Sequence, residues 1–557
     1  MSSYVVQTHE ARTWSFAGSP EAKCIVFVVA VSLLTIVPAL VFGVPSNRDL
    51  SNHFRFALPF YDAIAAGNLY PGWLAESNHG YGDPSFRFYP PALYYVLALF
   101  RFITGEWYVA TLLTFAVVSV AGGLGVFFWA RSVLPSSQAM WASILYSVAP
   151  YHVNQLYQAT MLAEWAGAAV LPFVFAFLER VCAHGRRRDV AGFAGCYALL
   201  VLTHLPLTVI GSIALVIYAL VRLEAGRRLQ TLLQLAGATA LGLCASSIFW
   251  VTMVSELRWI GINTIDRDAS VDYRLNFLLS TFSPDNMNVW WMNILALMTL
   301  LLSAPIVLLV RRQARSDKRH LKPLVLFTVF TLFMTLPLSR PLWDVLSVLQ
   351  QTQFPWRWLA LLSMCLALLT AAAMPLLEQT ERAIARVRRV LIIGAMSIAI
   401  VFTLSHVVRE AKFLPRNEFE NTLNAVRGTP SVNYWFPIWA SSSARPMSDE
   451  VETDGRRVVV QSWSPERRQF QLPAGAATEA RVRTFYYPHW TAESGNNLLS
   501  TRADKDGALL ISLPANATSV ELSFNEPRRS RISSWASLAG CVFIGALAVP
   551  FPWRQKR

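Results

Sequence analysis

Long apolar segments constrain this chain more than any other feature of its sequence. A helix needs roughly 20 consecutive apolar residues to cross a bilayer. Segments that reach or approach this length lie at residues 24–43, 107–130, 163–180, 228–254, 291–310, 355–377, 388–408 and 532–553, with shorter ones at 137–150 and 322–338. The run 190–222 is long enough for two helices, which the proline of His204-Leu205-Pro206 separates. The pattern predicts a polytopic α-helical membrane protein with about twelve spans.

The composition agrees with a surface that is largely solvated by lipid. Hydrophobic residues make up 54% of the 557 residues and charged residues only 15%, whereas soluble domains contain about 25% charged residues. The net charge is +14. It does not indicate a nucleic-acid partner, because Lys and Arg cluster in short loops between apolar segments, as in proteins that follow the positive-inside rule. The six cysteines lie in or beside apolar segments and show no metal-ligand spacing.

The basic clusters predict how the chain is oriented in a cell inner membrane. All of them fall on the cytoplasmic side if the apolar segment Phe88–Thr104 does not cross the bilayer. This segment would then be a juxtamembrane or re-entrant element at the outer face, and both termini would be cytoplasmic. The clusters are Arg186/Arg187/Arg188, Arg222/Arg227/Arg228, Arg311/Arg312/Arg315/Lys318/Arg319, Arg382/Arg386/Arg388/Arg389 and Arg554/Lys556/Arg557.

This topology divides the chain into four parts. The first apolar run is long for a signal peptide and is interpreted as an uncleaved anchor. The parts are a cytoplasmic N-terminal segment 1–22, a membrane domain 23–409 with outer loops 44–106 and 255–290, an extracytoplasmic domain 410–530, and a final transmembrane helix with a basic cytoplasmic tail, 531–557.

The extracytoplasmic domain has the pattern of β structure. Short runs of alternating polar and apolar residues are separated by Gly, Pro, Asn and Asp, which is typical of antiparallel strands and predicts a small β-sandwich. The domain shows no nucleophile or metal-ligand pattern, which favours a binding or bracing role. Its motif Tyr486-Tyr487-Pro488-His489-Trp490 is interpreted as core packing or a lid on the membrane domain. The runs are Arg456–Gln461, Gln469–Leu472, Ala480–Phe485, Ala508–Leu513 and Ser519–Phe524.

The first outer loop contains several candidate functional residues. Asp49 follows the first apolar helix and is either a general base at the membrane surface or an interfacial charge without a role. His53, Asp83 and Tyr89 lie further along the loop. Gly82-Asp83-Pro84 is also a turn signal, in which the carboxylate bonds the backbone. The loop is long and rich in Gly, Pro and aromatic residues, which favours a functional segment over a plain connector.

Two further outer segments add candidates. The motif Gln353-Phe354-Pro355-Trp356-Arg357-Trp358 opens a helix, and the guanidinium of Arg357 suits a phosphate or an anchor in an aromatic belt. His152 and Glu164 lie where two helices meet at the outer face. A carboxylate at the membrane boundary is costly, so Glu164 is expected to pair with Arg258 or with a ligand cation, a structural ion pair being the default.

These motifs together resemble the GT-C superfamily of membrane glycosyltransferases, in which an acidic residue follows the first helix and precedes a juxtamembrane helix. More narrowly, the chain resembles bacterial membrane proteins named "6-pyruvoyl-tetrahydropterin synthase-related", although it has no zinc-binding histidine triad of a pterin synthase. The Tyr486–Trp490 motif is similar to the tail of YfhO-type multi-span proteins. The motifs that carry the resemblance are Asp49-Leu50-Ser51-Asn52-His53, Gly67-Asn68-Leu69-Tyr70-Pro71-Gly72-Trp73, Gly80-Tyr81-Gly82, Phe88-Tyr89-Pro90-Pro91, Pro150-Tyr151-His152 and Phe354-Pro355-Trp356-Arg357.

The GT-C resemblance implies that a sugar passes, usually with inversion, from a polyprenyl-phosphate donor to an acceptor hydroxyl or amide of a glycan, lipid or protein at the outer face. Asp49 would match the catalytic carboxylate, and Arg357 would stabilise the departing lipid phosphate. Asn47 and Asp49 offer a single carboxylate, so the use of a divalent metal ion stays open. The remaining substrate-binding candidates are His53, Asp83, Tyr89, His152, Glu164 and Arg258.

Two other functions are alternatives. A transporter or flippase of a lipid-linked glycan commonly shows internal repeats and polar residues within its spans, and the sequence shows no repeat and nearly apolar spans. A non-catalytic subunit of envelope-polysaccharide assembly would use the β domain to hold a polymer. The enzymatic hypothesis requires that the carboxyl of Asp49 and the guanidinium of Arg357 share one outer chamber open to lipid.

Overall fold

The structure is a computed structural model that describes residues 19–261, 271–282, 287–312, 318–378, 383–430, 435–441 and 444–549. Several predicted features lie outside the described residues. They are most of the N-terminal segment 1–22, the interior of the outer loop 255–290, the middle of the basic cluster Arg311–Arg319, and the basic C-terminal tail.

Most of the described chain is α-helical. The helices up to the second outer loop are α1 Pro20–Leu34, α2 Val37–Phe42, α3 Leu50–Ala65, α4 Ala92–Thr104, α5 Trp107–Arg131, α6 Ser136–Ser147, α7 Pro150–Tyr157, α8 Leu162–Ala183, α9 Arg187–Thr203, α10 Leu205–Arg222, α11 Arg228–Ala245 and α12 Ser247–Glu256. The later helices are α13 Met287–Leu302, α14 Ile306–Arg312, α15 Lys318–Thr335, α16 Arg340–Val345, α17 Ser347–Gln350, α18 Leu359–Ala373, α19 Pro375–Glu378, α20 Ala383–Glu410, α21 Arg416–Val426 and α22 Arg528–Ala548.

Six helical segments in the described ranges are long and apolar enough to cross a membrane: α5, α8, α10, α22, Pro355–Leu377 and Arg386–Val407. Two bent pairs, α11 with Ser247–Trp259 and Leu321–Thr335 with Pro337–Val345, raise the number to eight if each pair is one span. This confirms a helical membrane-type protein, while the finer count of about twelve spans stays a prediction. The helix α4, within the predicted juxtamembrane segment, has only 13 residues.

The predicted break within residues 190–222 is confirmed. The helix α9 ends at Thr203 and α10 begins at Leu205. Because Pro206 has no amide hydrogen, a continuous helix would lose a backbone hydrogen bond at this point. His204 has an extended backbone between the two helices, and its Nδ1 accepts a hydrogen bond from the backbone N–H of Leu207. The histidine therefore caps the second helix.

A C-terminal β region follows the membrane helices. Its inward residues, such as Phe470, Leu472, Val520 and Leu522, share one core with residues of the other sheet, and the residues between them are polar. The strands are β1 Val44–Pro45, β2 Phe413–Leu414, β3 Val451–Thr453, β4 Val459–Trp463, β5 Arg467–Leu472, β6 Thr478–Phe485, β7 Trp490–Ser494, β8 Asn497–Leu499, β9 Thr501–Ala503, β10 Ala508–Leu513 and β11 Thr518–Phe524. They form antiparallel sheets in the orders β1-β2, β3-β6-β10-β9 and β4-β5-β11-β7-β8.

One buried carboxylate links the β region to the membrane helices. Glu256, at the end of α12, has no exposed surface, and Arg87 of the first outer loop is also buried. Arg87 donates to two carboxylates, those of Glu256 and Glu526, and its Nη1 lies 2.5 Å from Glu526 Oε1. The donors to Glu256 are Arg87 Nε at 2.5 Å and Nη2 at 2.8 Å, Tyr487 Oη at 2.8 Å, His489 Nε2 at 2.9 Å and Arg529 Nη2 at 3.2 Å. Two residues of the aromatic motif thus contact a membrane helix.

Removal of the Glu256 carboxylate tests how strongly this network holds the β region. We expect Glu256→Ala to lower the free energy of unfolding by about 3–5 kcal/mol, because it leaves buried donors, including a charged one, without their acceptor. Glu106→Ala is the matched control, since it breaks the exposed pair of Glu106 with Arg416 and should cost about 0–1 kcal/mol. Thermal unfolding of the purified full-length protein in detergent, followed by tryptophan fluorescence, measures both. Equal melting temperatures for the two variants would contradict this role of Glu256.

Candidate functional site

Asp49 lies at the start of α3. It occupies the N-cap position without capping the helix. Instead, Asn52 Nδ2 donates to its Oδ1 over 2.8 Å. Its side chain is 37% exposed, and Oδ2 lies 3.8 Å from Nε2 of His53. Within the described ranges no Lys or Arg forms an ion pair with it, so the carboxylate is oriented by neutral groups and is open on one side.

His53 is held as a neutral ring with a defined tautomer. The backbone N–H of Leu162 donates to its Nε2 over 3.1 Å, so the proton of the neutral ring is on Nδ1, 3.0 Å from Tyr94 Oη. Burial lowers the pKa of His53, and the opposing effect of Asp49 is smaller. The ring is therefore uncharged at neutral pH and does not neutralise the carboxylate.

Thr160 fixes the backbone at Asp49 and carries strain. Its φ is +49°, a left-handed conformation that is a true outlier for a β-branched residue. Its Oγ1 accepts the backbone N–H of Asp49 over 2.8 Å and donates to the carbonyl of Ala159. Strained residues concentrate at functional sites. Sequence reasoning missed Thr160, because no pattern in the sequence marks it.

Glu164 and Arg357 form a buried ion pair. Arg357 Nε donates to Glu164 Oε2 over 2.8 Å. The other oxygen accepts from Tyr151 Oη and Gln155 Nε2, each at 2.6 Å. Arg357, and not Arg258, is thus the partner of Glu164, and both carboxylate oxygens are occupied by protein donors. This is the structural ion pair that was the default expectation.

The pairing limits what Arg357 can do as a phosphate ligand. Its Nε is committed to Glu164, its Nη1 donates to the carbonyl of Thr352, and its guanidinium lies 4.7 Å from the ring centroid of Phe354. Only Nη2 has no hydrogen-bond partner in the part of the chain that the structure describes. The charge of Arg357 is balanced by Glu164, so it offers one donor and little net charge. Arg258 lies elsewhere, 5.5 Å from the ring centroid of Trp259.

Three of the residues predicted from the sequence act electrostatically on a fourth, Tyr89. Burial is the largest cause that raises the pKa of Tyr89, and the charge of Asp49 raises this pKa further. The charge of Arg357 lowers the pKa and that of Glu164 raises it. Tyr94 hydrogen-bonds its hydroxyl. The charges of Asp49, Glu164 and Arg357 therefore all act on one tyrosine, although they come from three distant parts of the sequence.

Two other predicted residues have structural partners. Asp83 is buried, and its Oδ1 accepts from the backbone N–H of Ser85 over 2.7 Å and from the Ser85 hydroxyl. This is the turn geometry that Gly-Asp-Pro indicates. His152 is also buried, and its Nε2 accepts from Trp165 Nε1 over 3.2 Å. His152 also lines a small cavity together with Glu164.

A cavity of about 480 Å³ lies between α7, α13 and α20. Its lining includes Arg48 and Trp356, which precede Asp49 and Arg357 in the sequence. Neither Asp49 nor Arg357 itself lines the cavity. The aromatic part of the lining consists of Trp290, Trp291, Phe354, Trp356, Phe402 and His406. The polar part of the lining includes Arg48, Asn288 and Glu410. A pocket of this size that combines aromatic walls with polar groups is typical of a small-molecule site.

Arg48 is the cation of this cavity. Its Nη1 donates to Asn288 Oδ1 over 2.5 Å, and among the described residues it has no carboxylate partner. Its positive charge is therefore not balanced by an ion pair within the described ranges, in contrast to that of Arg357, and the carboxylate of Glu410 also lines the cavity. Sequence reasoning missed Arg48, although its position next to Asp49 was a usable signal.

No metal centre is evident in this region. Among the described residues there is no group of three or more His, Cys, Asp and Glu side chains that could hold a metal ion.

Comparisons with known proteins place the chain in a family. The family model described as "6-pyruvoyl-tetrahydropterin synthase related domain; membrane protein" matches residues 86–410, more than half of the chain. The match begins after Asp49 and includes Tyr89, Glu164 and Arg357. No curated protein matches the sequence.

Solved structures with similar architecture share little sequence with the chain. Arabinofuranosyltransferase AftD from Mycobacteria has 16% identity and a TM-score of 0.46, over 71% of this chain and 27% of that one. ArnT from Cupriavidus metallidurans bound to undecaprenyl phosphate has 14% identity and a TM-score of 0.41, over 73% and 74%. The Archaeoglobus fulgidus oligosaccharyltransferase has 11% identity and a TM-score of 0.41, over 76% and 57%. Likeness at this level does not establish a shared mechanism.

The state of His53 predicts a pH dependence of stability. Because burial lowers its pKa in the folded chain, the unfolded chain binds a proton at His53 more readily than the folded chain does. Stability should therefore fall as the pH drops below about 6.5, the ordinary pKa of histidine. We expect His53→Gln to reduce the difference in melting temperature between pH 7 and pH 5. His79→Gln, which replaces an exposed histidine of the same loop, is the control. An unchanged difference in His53→Gln would contradict a neutral, buried His53.

Proposed function

The chain belongs to the 6-pyruvoyl-tetrahydropterin synthase-related family of membrane proteins, and on this premise we propose that it is a membrane glycosyltransferase. It would take a sugar from a polyprenyl-phosphate-linked donor and pass it to an acceptor hydroxyl or amide at the outer face of the inner membrane. The family name refers to a pterin synthase, but the described residues hold no group of metal ligands that such chemistry would use.

The open carboxylate of Asp49 carries this proposal. A general base must be within reach of the acceptor proton and must keep a lone pair free for it. Asp49 is partly exposed, is oriented by Asn52 and forms no ion pair with Lys or Arg in the part of the chain that the structure describes. Glu164 is the opposite case, because protein donors occupy both of its oxygens. Of these two carboxylates, Asp49 is the one that is able to accept a proton from a bound substrate.

The cavity beside Asp49 supports a phosphate-bearing lipid as the donor. Its aromatic walls suit a polyprenyl chain and the faces of a sugar ring, and Arg48 supplies a guanidinium that forms no ion pair among the described residues. A guanidinium binds phosphate oxygens through two parallel N–H groups. Arg48 thus takes the role that the sequence alone suggested for Arg357, which keeps a supporting position through its one free donor.

The proposed reaction is a single displacement. The acceptor oxygen attacks the anomeric carbon while Asp49 takes its proton, and the bond from that carbon to the phosphate oxygen breaks. The bonding electron pair leaves with the lipid phosphate, whose growing negative charge is stabilised by Arg48. One displacement at the anomeric carbon inverts its configuration.

The first test replaces Asp49 by its uncharged isostere. We expect Asp49→Asn to reduce transfer by about 10²- to 10⁴-fold, because the general base is lost. The assay uses the purified full-length protein in liposomes with radiolabelled undecaprenyl-phosphate hexoses and pentoses and a membrane extract as acceptor. Asp62→Asn is the matched control, because Asp62 is on the same helix but pairs with Arg427. Undiminished transfer in Asp49→Asn would remove the proposal.

The second test addresses the phosphate. We expect Arg48→Gln to weaken transfer by about 10- to 100-fold, the value of one or two hydrogen bonds to a charged group. Arg416→Gln, which changes an exposed arginine paired with Glu106, should have no effect. Steady-state kinetics with the best donor of the first assay measures both variants. If Arg357→Gln abolished transfer in a folded protein while Arg48→Gln did not, the assignment of the phosphate to Arg48 would be wrong.

A further inference from the structure

A second cavity, of about 430 Å³, lies at the opposite end of the membrane helices. The helix α5 connects the two ends. Its first residue, Trp107, packs against Phe54 of α3 at 5.7 Å between ring centroids, and its last residue, Arg131, lines the second cavity. Twenty-five helical residues place these ends about 36 Å apart. The cavity is therefore separate from the site at Asp49 and lies at the face that the sequence predicts to be cytoplasmic.

The lining of this cavity changes from polar to apolar along the helix axes. Arg131 follows Phe128 by three residues on α5, and Arg180 follows Phe177 by three residues on α8. Three residues correspond to a rise of about 4.5 Å. Both helices end shortly after these arginines, so the guanidinium groups lie at the membrane boundary and the phenylalanine rings lie deeper. Phe173, one further turn down α8, continues the apolar wall.

Both arginines are partly exposed and keep guanidinium nitrogens without a hydrogen-bond partner among the described residues. Arg131 Nε lies 3.4 Å from Glu21 Oε1 and Nη1 donates to the carbonyl of Leu134, and the side chain is 36% exposed. Arg180 donates Nε to Asp189 over 2.8 Å, and its side chain is 45% exposed. Exposed arginines 186–188 follow at the start of α9, so the local field is positive.

The helix α1, which contributes Glu21 to the cavity, has an exposed apolar surface. Its Val26 and Phe27 are 69% and 50% exposed, as expected of side chains that face acyl chains. Free phosphate would use only the arginine end and leave the phenylalanine wall without a partner. A phospholipid matches both ends, since its headgroup is anionic and its chains are apolar.

We propose that this cavity binds one anionic phospholipid of the surrounding leaflet. Its phosphate is held by Arg131 and Arg180, and its acyl chains lie along Phe128, Phe173 and Phe177. Basic pockets between helix ends are known to take such headgroups, and the volume lies within the range of small-molecule sites, roughly 300–1,000 Å³. This inference does not depend on the proposed function.

The test measures lipid retention by native mass spectrometry. The purified full-length protein is titrated in detergent with phosphatidylglycerol, phosphatidylcholine or inorganic phosphate. We expect one phosphatidylglycerol to be retained about tenfold more tightly than phosphatidylcholine. Arg131→Gln should abolish this preference, and Glu21→Gln should increase it, because Glu21 competes for the same guanidinium. Arg340→Gln, which changes an exposed arginine paired with Asp344, should leave it unchanged.

The opposite signs expected for Glu21→Gln and Arg131→Gln separate recognition from damage to the fold, which would lower retention in both. Equal retention of the two lipids, or a preference that survives Arg131→Gln, would overturn the proposal. Displacement of phosphatidylglycerol by inorganic phosphate, together with unchanged retention in Phe173→Ala, would assign the site to free phosphate and would also overturn it.

Discussion

The ion pair between Arg87 and Glu256 is the contact on which the packing of the β region against the membrane helices depends. Both side chains are buried, and a buried charge is tolerated only with a close partner and further hydrogen bonds. The partners come from the first outer loop, the end of α12, the segment after β6 and the start of α22. Four separate parts of the chain are therefore fixed at one point, and the loop that carries Asp49 is one of them.

The candidate site shows how the surroundings of a carboxylate decide its role. Glu256 and Glu164 are buried and surrounded by donors, so each holds protein segments together. Asp49 is the exception, because its partners are an amide and a neutral imidazole and part of its surface is exposed. The strained Thr160 holds its backbone. A group positioned in this way, without a compensating charge, is suited to react with something that is not part of the protein.

The two ends of the membrane region each combine arginine with aromatic side chains. At the end that carries Asp49, Arg48 lines a cavity together with tryptophan and phenylalanine side chains. At the other end, Arg131 and Arg180 stand above a phenylalanine wall. Both arrangements suit an amphiphile with a phosphate at the boundary and hydrocarbon below it. They differ in one respect that matters for chemistry. At the second cavity the carboxylate of Glu21 lies 3.4 Å from Arg131, whereas Asp49, next to Arg48 in the chain, forms no ion pair with Lys or Arg among the described residues.

Much of the secondary structure could be read from the sequence, because its causes are local. The apolar runs, the helix break at Pro206 and the alternation in β5, β6, β10 and β11 are properties of neighbouring residues. The resemblance that led to Asp49 also rested on short motifs.

What the tertiary structure alone decided is which charged side chains lie next to each other. Arg357 is 193 residues from Glu164, Arg48 is 240 residues from Asn288, and no periodicity encodes such pairs. Arg357 is buried and forms an ion pair with Glu164, because a buried guanidinium is destabilising without a carboxylate partner. Arg48 is exposed, so its guanidinium does not require such a partner, and it forms no ion pair among the described residues.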